Sequence, residues 1–210
     1  MSIPTKPSPE ELFAPTPRMI LRASRAAVTD MSVLADGTRL RFRPLSSDDR
    51  DGLARLFARL TPESRRRRFL SPKPALTTRE LAFLTDIDHV AHEAIAAVDQ
   101  RDDSIVGIAR YVRVADRLGV ADVAVEVADE IQGMGVGTEL VARVLGRARA
   151  NRITLLTATT LWENRPARAL LRRLGFRAHA SHGPEIELEL DLNPERLSSR
   201  GPYECSEVIA

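Results

Sequence analysis

The chain has 210 residues, of which 43% are hydrophobic and 29% charged, as is ordinary for a soluble α/β domain with one core. A net charge of +2 gives no support to a dedicated nucleic-acid-binding protein, and no apolar run approaches the roughly 20 residues of a transmembrane helix. The single cysteine, Cys205, excludes an internal disulfide and a zinc–thiolate site, and is typical of a reducing compartment such as the cytoplasm.

The N-terminal part of the chain is predicted to be a tail followed by a strand and a helix. Residues 1–37 are rich in proline and then irregular, which predicts a flexible tail. Residues 38–44 alternate between polar and apolar side chains, as in a strand, and residues 46–49 supply the cap and first-turn acids of a helix. The residues that this helix is predicted to bury are Leu53, Leu56, Phe57 and Leu60.

Two shorter helices are predicted next. Thr61 is the expected cap of the first, with Pro62 at the first helical position, and Thr77 and Glu80 have the spacing of a capping box at the start of the second. Four consecutive arginines at 65–68 fall on the first of these helices. They predict a solvated helix face, with attraction of an acidic protein or of a phosphate as the alternative.

The middle of the chain is predicted to form three antiparallel strands. Residues 92–98 and 105–114 flank a polar run that suits a hairpin turn, and Gly119 precedes a third strand over residues 120–128. The pattern then changes to helix, strand, helix and a final hairpin. A helix is predicted after Gly137, a strand over residues 153–161, a second helix over residues 164–174, and the two strands of the hairpin over residues 176–180 and 185–192. Residues 193–210 are predicted to be a second flexible tail.

Residues 121–137 are the informative segment, because a strand runs there into a glycine-rich turn and then into a helix. Such a turn aims free amide N–H groups and the positive end of the helix dipole at one point, which attracts phosphate. Gly133, Gly135 and Gly137 have no Cβ to hold a ligand away, although glycine also suits a tight connection without a ligand. A P-loop does not fit because Thr138, not lysine, follows Gly137, and the glycine spacing does not match a dinucleotide fingerprint.

Two signatures resemble those of the GNAT superfamily of acetyl-CoA-dependent N-acetyltransferases. The first is Q-x-x-G-x-G at residues 132–137, and the second is residues 164–176, in which asparagine starts a helix that ends at Gly-Phe. The resemblance covers about residues 38–192, where we therefore predict one N-acetyltransferase domain. It implies an α/β fold with a mixed, mostly antiparallel sheet that is splayed at its central parallel pair and has helices on both faces.

The resemblance also implies how the co-substrate acetyl-CoA is held. Backbone amides of the glycine-rich turn would hold the pyrophosphate, the strand at 125–127 would pair with the pantetheine arm, and a backbone N–H there would polarise the thioester carbonyl. Asn164 would support the arm, and is equally well explained as a helix N-cap. The predicted cofactor-binding residues are Val125, Glu126, Val127, Gln132, Gly133, Met134, Gly135, Val136, Gly137, Thr138 and Asn164, and no metal ion is expected.

A carboxylate base is expected near the thioester, because the attacking amine must lose a proton. Asp122 and Glu126 are the candidates, since alternate residues of a strand share one face, and each is also explained as a solvated sheet residue. Asp122 lies ten residues before Gln132, where many members of the superfamily have a catalytic glutamate, and is shorter by one methylene. Many members also have a tyrosine acid at the position that Leu171 occupies here.

Residues 61–65, 68–70 and 84–89 resemble the acetyltransferase domain of bacterial protein-lysine acetyltransferases, which often regulate acyl-CoA synthetases. This resemblance implies acetyl transfer to a primary amine, with a protein lysine as acceptor and such a synthetase as a partner. Two alternatives use the same residues: acetylation of a small-molecule amine, and a non-catalytic acyl-CoA sensor, which Asp122 and Leu171 motivate. The sequence predicts no nucleic-acid or membrane partner, and it leaves the oligomeric state open.

Overall fold

The computed structural model describes residues 30–193, and within them strands and helices follow the predicted order. Residues 1–29 and 194–210, which make up most of the two predicted tails, lie outside the described residues. The strands are β1 (Asp30–Val33), β2 (Arg39–Pro44), β3 (His92–Asp99), β4 (Ile105–Arg113), β5 (Val120–Val127), β6 (Leu155–Leu161), β7 (Arg177–His182) and β8 (Glu185–Asp191). The helices are α1 (Arg50–Arg59), α2 (Pro62–Phe69), α3 (Thr78–Thr85), α4 (Val136–Ala150) and α5 (Arg165–Arg173).

The predicted N-terminal tail extends too far, because residues 30–33 form the edge strand β1. This strand pairs antiparallel with β2, so that Ser32 lies opposite Leu40. None of its four side chains is buried, and Met31 and Val33 are both exposed. Because β1 has no buried face, its sequence shows no alternation of polar and apolar residues from which a strand could be predicted. The strand is defined by its backbone pairing with β2.

Helices cover both faces of the central strands, which is why β3 is buried along its whole length. Arg110 and Tyr111 are neighbours in β4 and therefore point to opposite faces. The Arg110 guanidinium donates to the Leu84 carbonyl in α3 at 2.8 Å, whereas the Tyr111 hydroxyl accepts from Asn151 at the end of α4. An apolar stripe of α4 is buried against the sheet, namely Leu140, Val141, Val144, Leu145 and Ala148.

The sheet opens at its parallel pair. Among the described residues it has eight strands in the order β1-β2-β3-β4-β5-β6-β8-β7, and every neighbouring pair is antiparallel except β5 and β6. These two pair from Val120 to Asp122 and then diverge, although β5 continues to Val127 and β6 to Leu161. The predicted fold class is thus confirmed: an α/β fold with a mostly antiparallel sheet, a splayed parallel pair and helices on both faces.

The helix α5 is only partly buried. Leu171 is buried, whereas the apolar residues Ala167, Leu170 and Leu174 are half-buried. The helix therefore lies at the margin of the core, beside the divergence of β5 and β6. None of the helices within residues 30–193 has the length and apolar character that crossing a lipid bilayer demands.

Candidate active site

A cavity of about 730 Å³ lies where β5 and β6 diverge. Its walls come from β5, the glycine-rich turn, α2 and α5, so that both sequence signatures border it, and its size is typical of a small-molecule site. Two of the predicted site residues do not line the cavity: Met134 is exposed on the surface, and Val136 is buried in the core. The predicted site residues that line the cavity are Asp122, Val125, Glu126, Val127, Gln132, Gly133, Gly135, Gly137, Thr138 and Asn164.

The glycine-rich turn has a backbone that favours glycine at two positions. Gly133 and Gly135 have φ angles of 80° and 90°, which residues with a side chain rarely adopt. Nothing lies within 4 Å of a Cβ built at either position, so backbone conformation and not crowding requires glycine. The first backbone hydrogen bond of α4 runs from the Glu139 N–H to the Gly135 carbonyl. The amides of residues 136–138 come before this bond, at the N-terminal end of the helix, which borders the cavity.

Gly137 differs from the other two glycines because its surroundings are crowded. A Cβ at this position would lie 2.8 Å from the Cδ1 atom of Leu170 in α5, so this side chain would have to move. Sequence analysis offered two reasons for the three glycines, the approach of a ligand and a tight connection. The structure divides them: Gly133 and Gly135 have backbone conformations that favour glycine, and Gly137 lies close to a side chain of α5.

Asp129 joins the glycine-rich turn to α2, a contact that sequence analysis missed. Its carboxylate accepts hydrogen bonds from the Thr61 N–H and the Gln132 side-chain amide, both at 2.6 Å, and from the Ser64 hydroxyl. Burial alone would raise the pKa of Asp129, but the hydrogen bonds from Ser64, Thr61 and Gln132 outweigh burial and lower it. The Gln132 amide also donates to the Val127 carbonyl at 2.9 Å, so this side chain stabilises the turn.

We expect Asp129→Ala to loosen the turn, because three donors lose their acceptor. The free energy of unfolding should fall by roughly 1–2 kcal/mol, and amide hydrogen exchange over residues 130–137 should accelerate. Asp102→Ala is a matched control, since this exposed carboxylate accepts from nearby Ser104 in the β3–β4 turn. Unchanged exchange over residues 130–137 in the Asp129 variant would contradict this role.

Asp122 occupies the last position of β5 that pairs with β6, where the two strands separate. The residue is exposed and lines the cavity. Its Oδ1 atom accepts a hydrogen bond from the hydroxyl of Thr157, the residue opposite it in β6. The carboxylate thus has one oxygen bound to β6 while it faces the cavity and solvent, through which a proton can leave.

Glu126 shares this strand face but has a different environment. It is only 8% exposed, its Oε2 atom lies 3.3 Å from Arg68 Nε, and its Oε1 atom lies 3.9 Å from Arg110 Nη2. Both carboxylate oxygens are therefore engaged in ion pairs. Arg68 corrects the prediction of a solvated arginine face, because its side chain extends from α2 to the cavity and is only 16% exposed. The positions of Arg68 and Glu126 in the sequence give no indication that they form an ion pair.

Arg110 connects Glu126 to His92 beneath the cavity. Its Nη1 atom lies 3.2 Å from His92 Nε2, and a guanidinium group only donates, so His92 accepts through Nε2 and carries its proton on Nδ1. Burial, with a smaller effect of the Arg110 charge, lowers the pKa of His92 to about 3. Burial likewise lowers the pKa of Arg110 to about 10. At neutral pH His92 is therefore neutral and Arg110 is charged.

The buried His92 should make the stability of the protein depend on pH. Between its ordinary pKa of 6.5 and its folded pKa of about 3, the unfolded chain binds more protons than the folded chain. The free energy of unfolding should therefore fall as pH decreases through this range, by at most about 1.4 kcal/mol per pH unit from this group. His92→Gln keeps an acceptor for Arg110 and should narrow the gap between urea midpoints at neutral pH and at about pH 5. If the difference between the two urea midpoints were the same in His92→Gln as in the unaltered chain, other groups would cause the loss of stability in acid.

Asn164 is the N-cap of α5, as one of its two sequence explanations predicts. Its Oδ1 atom accepts from the Ala167 N–H at 3.3 Å, and its Nδ2 atom donates to the Thr160 hydroxyl at 3.1 Å. The residue is buried and its side chain lines the cavity. The two hydrogen bonds fix the start of α5 against β6, so Asn164 helps to shape the wall of the cavity.

The part of the chain that the structure describes has no tyrosine in the cavity wall. Leu171 is buried and lines the cavity at the position where the resemblance places a tyrosine acid. Tyr111 lies on the other face of the sheet, where its hydroxyl donates to the Val90 carbonyl at 3.2 Å and accepts from Asn151. Burial raises the pKa of Tyr111 to about 12, although the Asn151 hydrogen bond opposes this shift. Tyr111 therefore does not replace the missing acid.

Known proteins are similar to this chain in both sequence and fold. A family model described as an acetyltransferase (GNAT) domain matches residues 39–177. An acetyltransferase of Pseudomonas aeruginosa is 32% identical over 145 residues, which cover 68% of this chain and 77% of that protein. Acetyltransferase Pat of Mycolicibacterium smegmatis is 28% identical over 52% of this chain and 32% of Pat. The crystal structure of the GNAT domain of S. lividans PAT aligns with a TM-score of 0.73 at 27% identity, covering 78% of this chain and 97% of that domain.

Proposed function

The chain belongs to the GNAT family of acetyl-CoA-dependent N-acetyltransferases, and on this basis we propose that it acetylates the side-chain amine of a protein lysine. The observation that carries the proposal is the position of Asp122, at the divergence of β5 and β6 and in the wall of the cavity that the glycine-rich turn also lines. One cavity thus combines a carboxylate with an anion-binding helix N-terminus, as acetyl transfer from a phosphate-bearing donor to an amine requires.

The residues around the cavity fit acetyl-CoA. The amides that follow Gly133 and Gly135, together with the N-terminus of α4, offer donors and a positive dipole end to the pyrophosphate, and the space beside both glycines is open. Residues 123–127 of β5 extend past its last pair with β6, so their backbone can bind the pantetheine arm as an added strand. When bound in this way, acetyl-CoA supplies the acetyl group as a thioester.

Asp122 is the base in this proposal. Its carboxylate accepts the proton that the amine loses as the new C–N bond forms, and a backbone N–H of β5 polarises the carbonyl oxygen. The C–S bond breaks, and solvent protonates the leaving thiolate because Leu171 has no proton to give. Glu126, the alternative base, has both oxygens in ion pairs with Arg68 and Arg110. The proton on Asp122 returns to solvent through the exposed cleft.

The acceptor side of the cavity suits a lysine side chain. Phe69, Leu70, Phe83 and Leu84 in and next to α2 and α3 line the cavity, and this apolar surface complements the methylenes of lysine while Asp122 receives its amine. The same region carries the segments that resemble protein-lysine acetyltransferases. An acyl-CoA synthetase is therefore a candidate acceptor protein, and we place the reaction in the cytoplasm.

Mass spectrometry after incubation of the chain with a protein lysate and isotopically labelled acetyl-CoA tests this proposal. We expect new labelled acetyl-lysines that disappear with Asp122→Ala. A panel of small-molecule amines is assayed in parallel for release of free thiol. Turnover of a small amine without protein labelling would assign a small-molecule acceptor instead. Acetyl-CoA binding by calorimetry without turnover of any amine would favour the sensor function that Leu171 motivates.

A further inference from the structure

Thr157 is placed by the sheet directly beside Asp122. The two residues are opposite each other in the last parallel pair of β5 and β6, immediately before the strands diverge. Thr157 is 2% exposed, whereas Asp122 is exposed and faces the cavity. An ionised carboxylate only accepts, so the hydrogen bond between them runs from the Thr157 hydroxyl to Asp122 Oδ1.

The hydrogen bond between Thr157 and Asp122 lies where β5 and β6 diverge, and it can therefore orient the proposed base at the cavity. Beyond Asp122, β6 no longer flanks β5, so this is the last position at which a residue of β6 lies directly opposite one of β5. Thr157 is a buried, β-branched residue whose χ1 is restricted, and it is therefore a rigid donor. Held by this donor, the Asp122 carboxylate keeps one orientation at the wall of the cavity that an incoming amine enters.

We propose that Thr157 is the positioning residue for Asp122, an inference that rests on the proposed function. The amine proton moves to the Asp122 carboxylate as the C–N bond forms, and Thr157 keeps its own proton throughout, so it acts through Asp122 and not on the substrate. The hydrogen bond has a second effect, because a donor to a carboxylate stabilises the ionised form that acts as the base. Its removal should both misplace the base and favour its protonated form.

Thr157→Val tests this role, because it removes the hydroxyl and nearly preserves the shape of the side chain. We expect kcat to fall roughly 10-fold, the Kd of acetyl-CoA to stay within about two-fold, and the acid limb of kcat/KM to move to higher pH by roughly half a unit to one unit. Thr157→Ser restores the donor and should recover most of the rate and the original pH profile. A role confined to packing would not move the acid limb.

A double-mutant cycle with Asp122→Ala shows whether Thr157 acts through Asp122. In the Asp122→Ala background, Thr157→Val should change the residual rate by less than about two-fold. Wild-type rate and pH profile in Thr157→Val, or an equal loss in both backgrounds, would overturn this inference and leave the proposed function intact. Full activity of Asp122→Ala, or no turnover by the unaltered chain with any protein or amine, would instead overturn the proposed function. Thermal melting of each variant, with Thr157→Ser as the folded reference, separates these results from unfolding.

Discussion

Asp122→Ala is expected to lower kcat/KM for the acceptor by roughly 10²- to 10⁴-fold, the contribution that a positioned general base makes. The Kd of acetyl-CoA should remain within about two-fold, because the glycine-rich turn and the backbone of β5 are unchanged. The free energy of unfolding should fall by roughly 1–2 kcal/mol, because the buried Thr157 hydroxyl loses the carboxylate that accepts its hydrogen bond. Initial rates over a range of pH, calorimetry of acetyl-CoA binding and urea denaturation measure the three quantities.

Two further variants make the Asp122 experiment specific. Asp51→Ala removes an exposed carboxylate from α1 and should leave the rate unchanged. Asp122→Glu lengthens the side chain by one methylene and keeps a carboxylate, so it should retain a rate within about 10-fold of the unaltered chain. If Asp122→Ala retained the full rate, the base would lie elsewhere and the proposed mechanism would be wrong.

Glu126→Gln is expected to act mainly on stability. Arg110 is 3% exposed, and without Glu126 its charge would remain buried with no carboxylate ion-paired to it among the residues that the structure describes. Removing one partner of a buried ion pair is strongly destabilising, and the 3.9 Å separation here moderates the effect. We expect the free energy of unfolding to fall by roughly 2–4 kcal/mol. Urea denaturation measures this loss, and assays below the melting transition should show kcat within about 10-fold of the unaltered chain.

A compensating variant distinguishes an ion-pair role of Glu126 from a catalytic one. Replacing both partners, Arg110→Met with Glu126→Met, removes the buried charges together and should recover much of the stability that Glu126→Gln loses. Arg68 comes from α2 at the cavity wall, and its side chain is 16% exposed, compared with 4% for Arg110. If Glu126→Gln kept its stability but lost as much activity as Asp122→Ala, Glu126 would be the base.

The local features of the fold and site could be predicted because their causes lie within a few residues of chain. Thr77 and Glu80 form the predicted capping box, since a cap joins residues only three positions apart. The apolar stripe of α4 is visible in the sequence because the period of a helix fixes which residues share a face. The glycine-rich turn is recognisable for the same reason: Gly133 and Gly135 meet a local requirement for positive φ.

The environment of each carboxylate required the tertiary structure. Asp122 and Glu126 look equivalent in the sequence, two acids on one face of a strand, yet the chain brings Thr157 to the first and Arg68 and Arg110 to the second. These partners come from other strands and from α2, and no spacing rule relates residues so far apart in sequence. The sequence by itself thus determined the helices, the strands other than β1, the glycine-rich turn and the family. Only the packing of distant elements decided which carboxylate is exposed in the cleft and which is buried in ion pairs, because hydrogen bonds and ion pairs depend on separation in space.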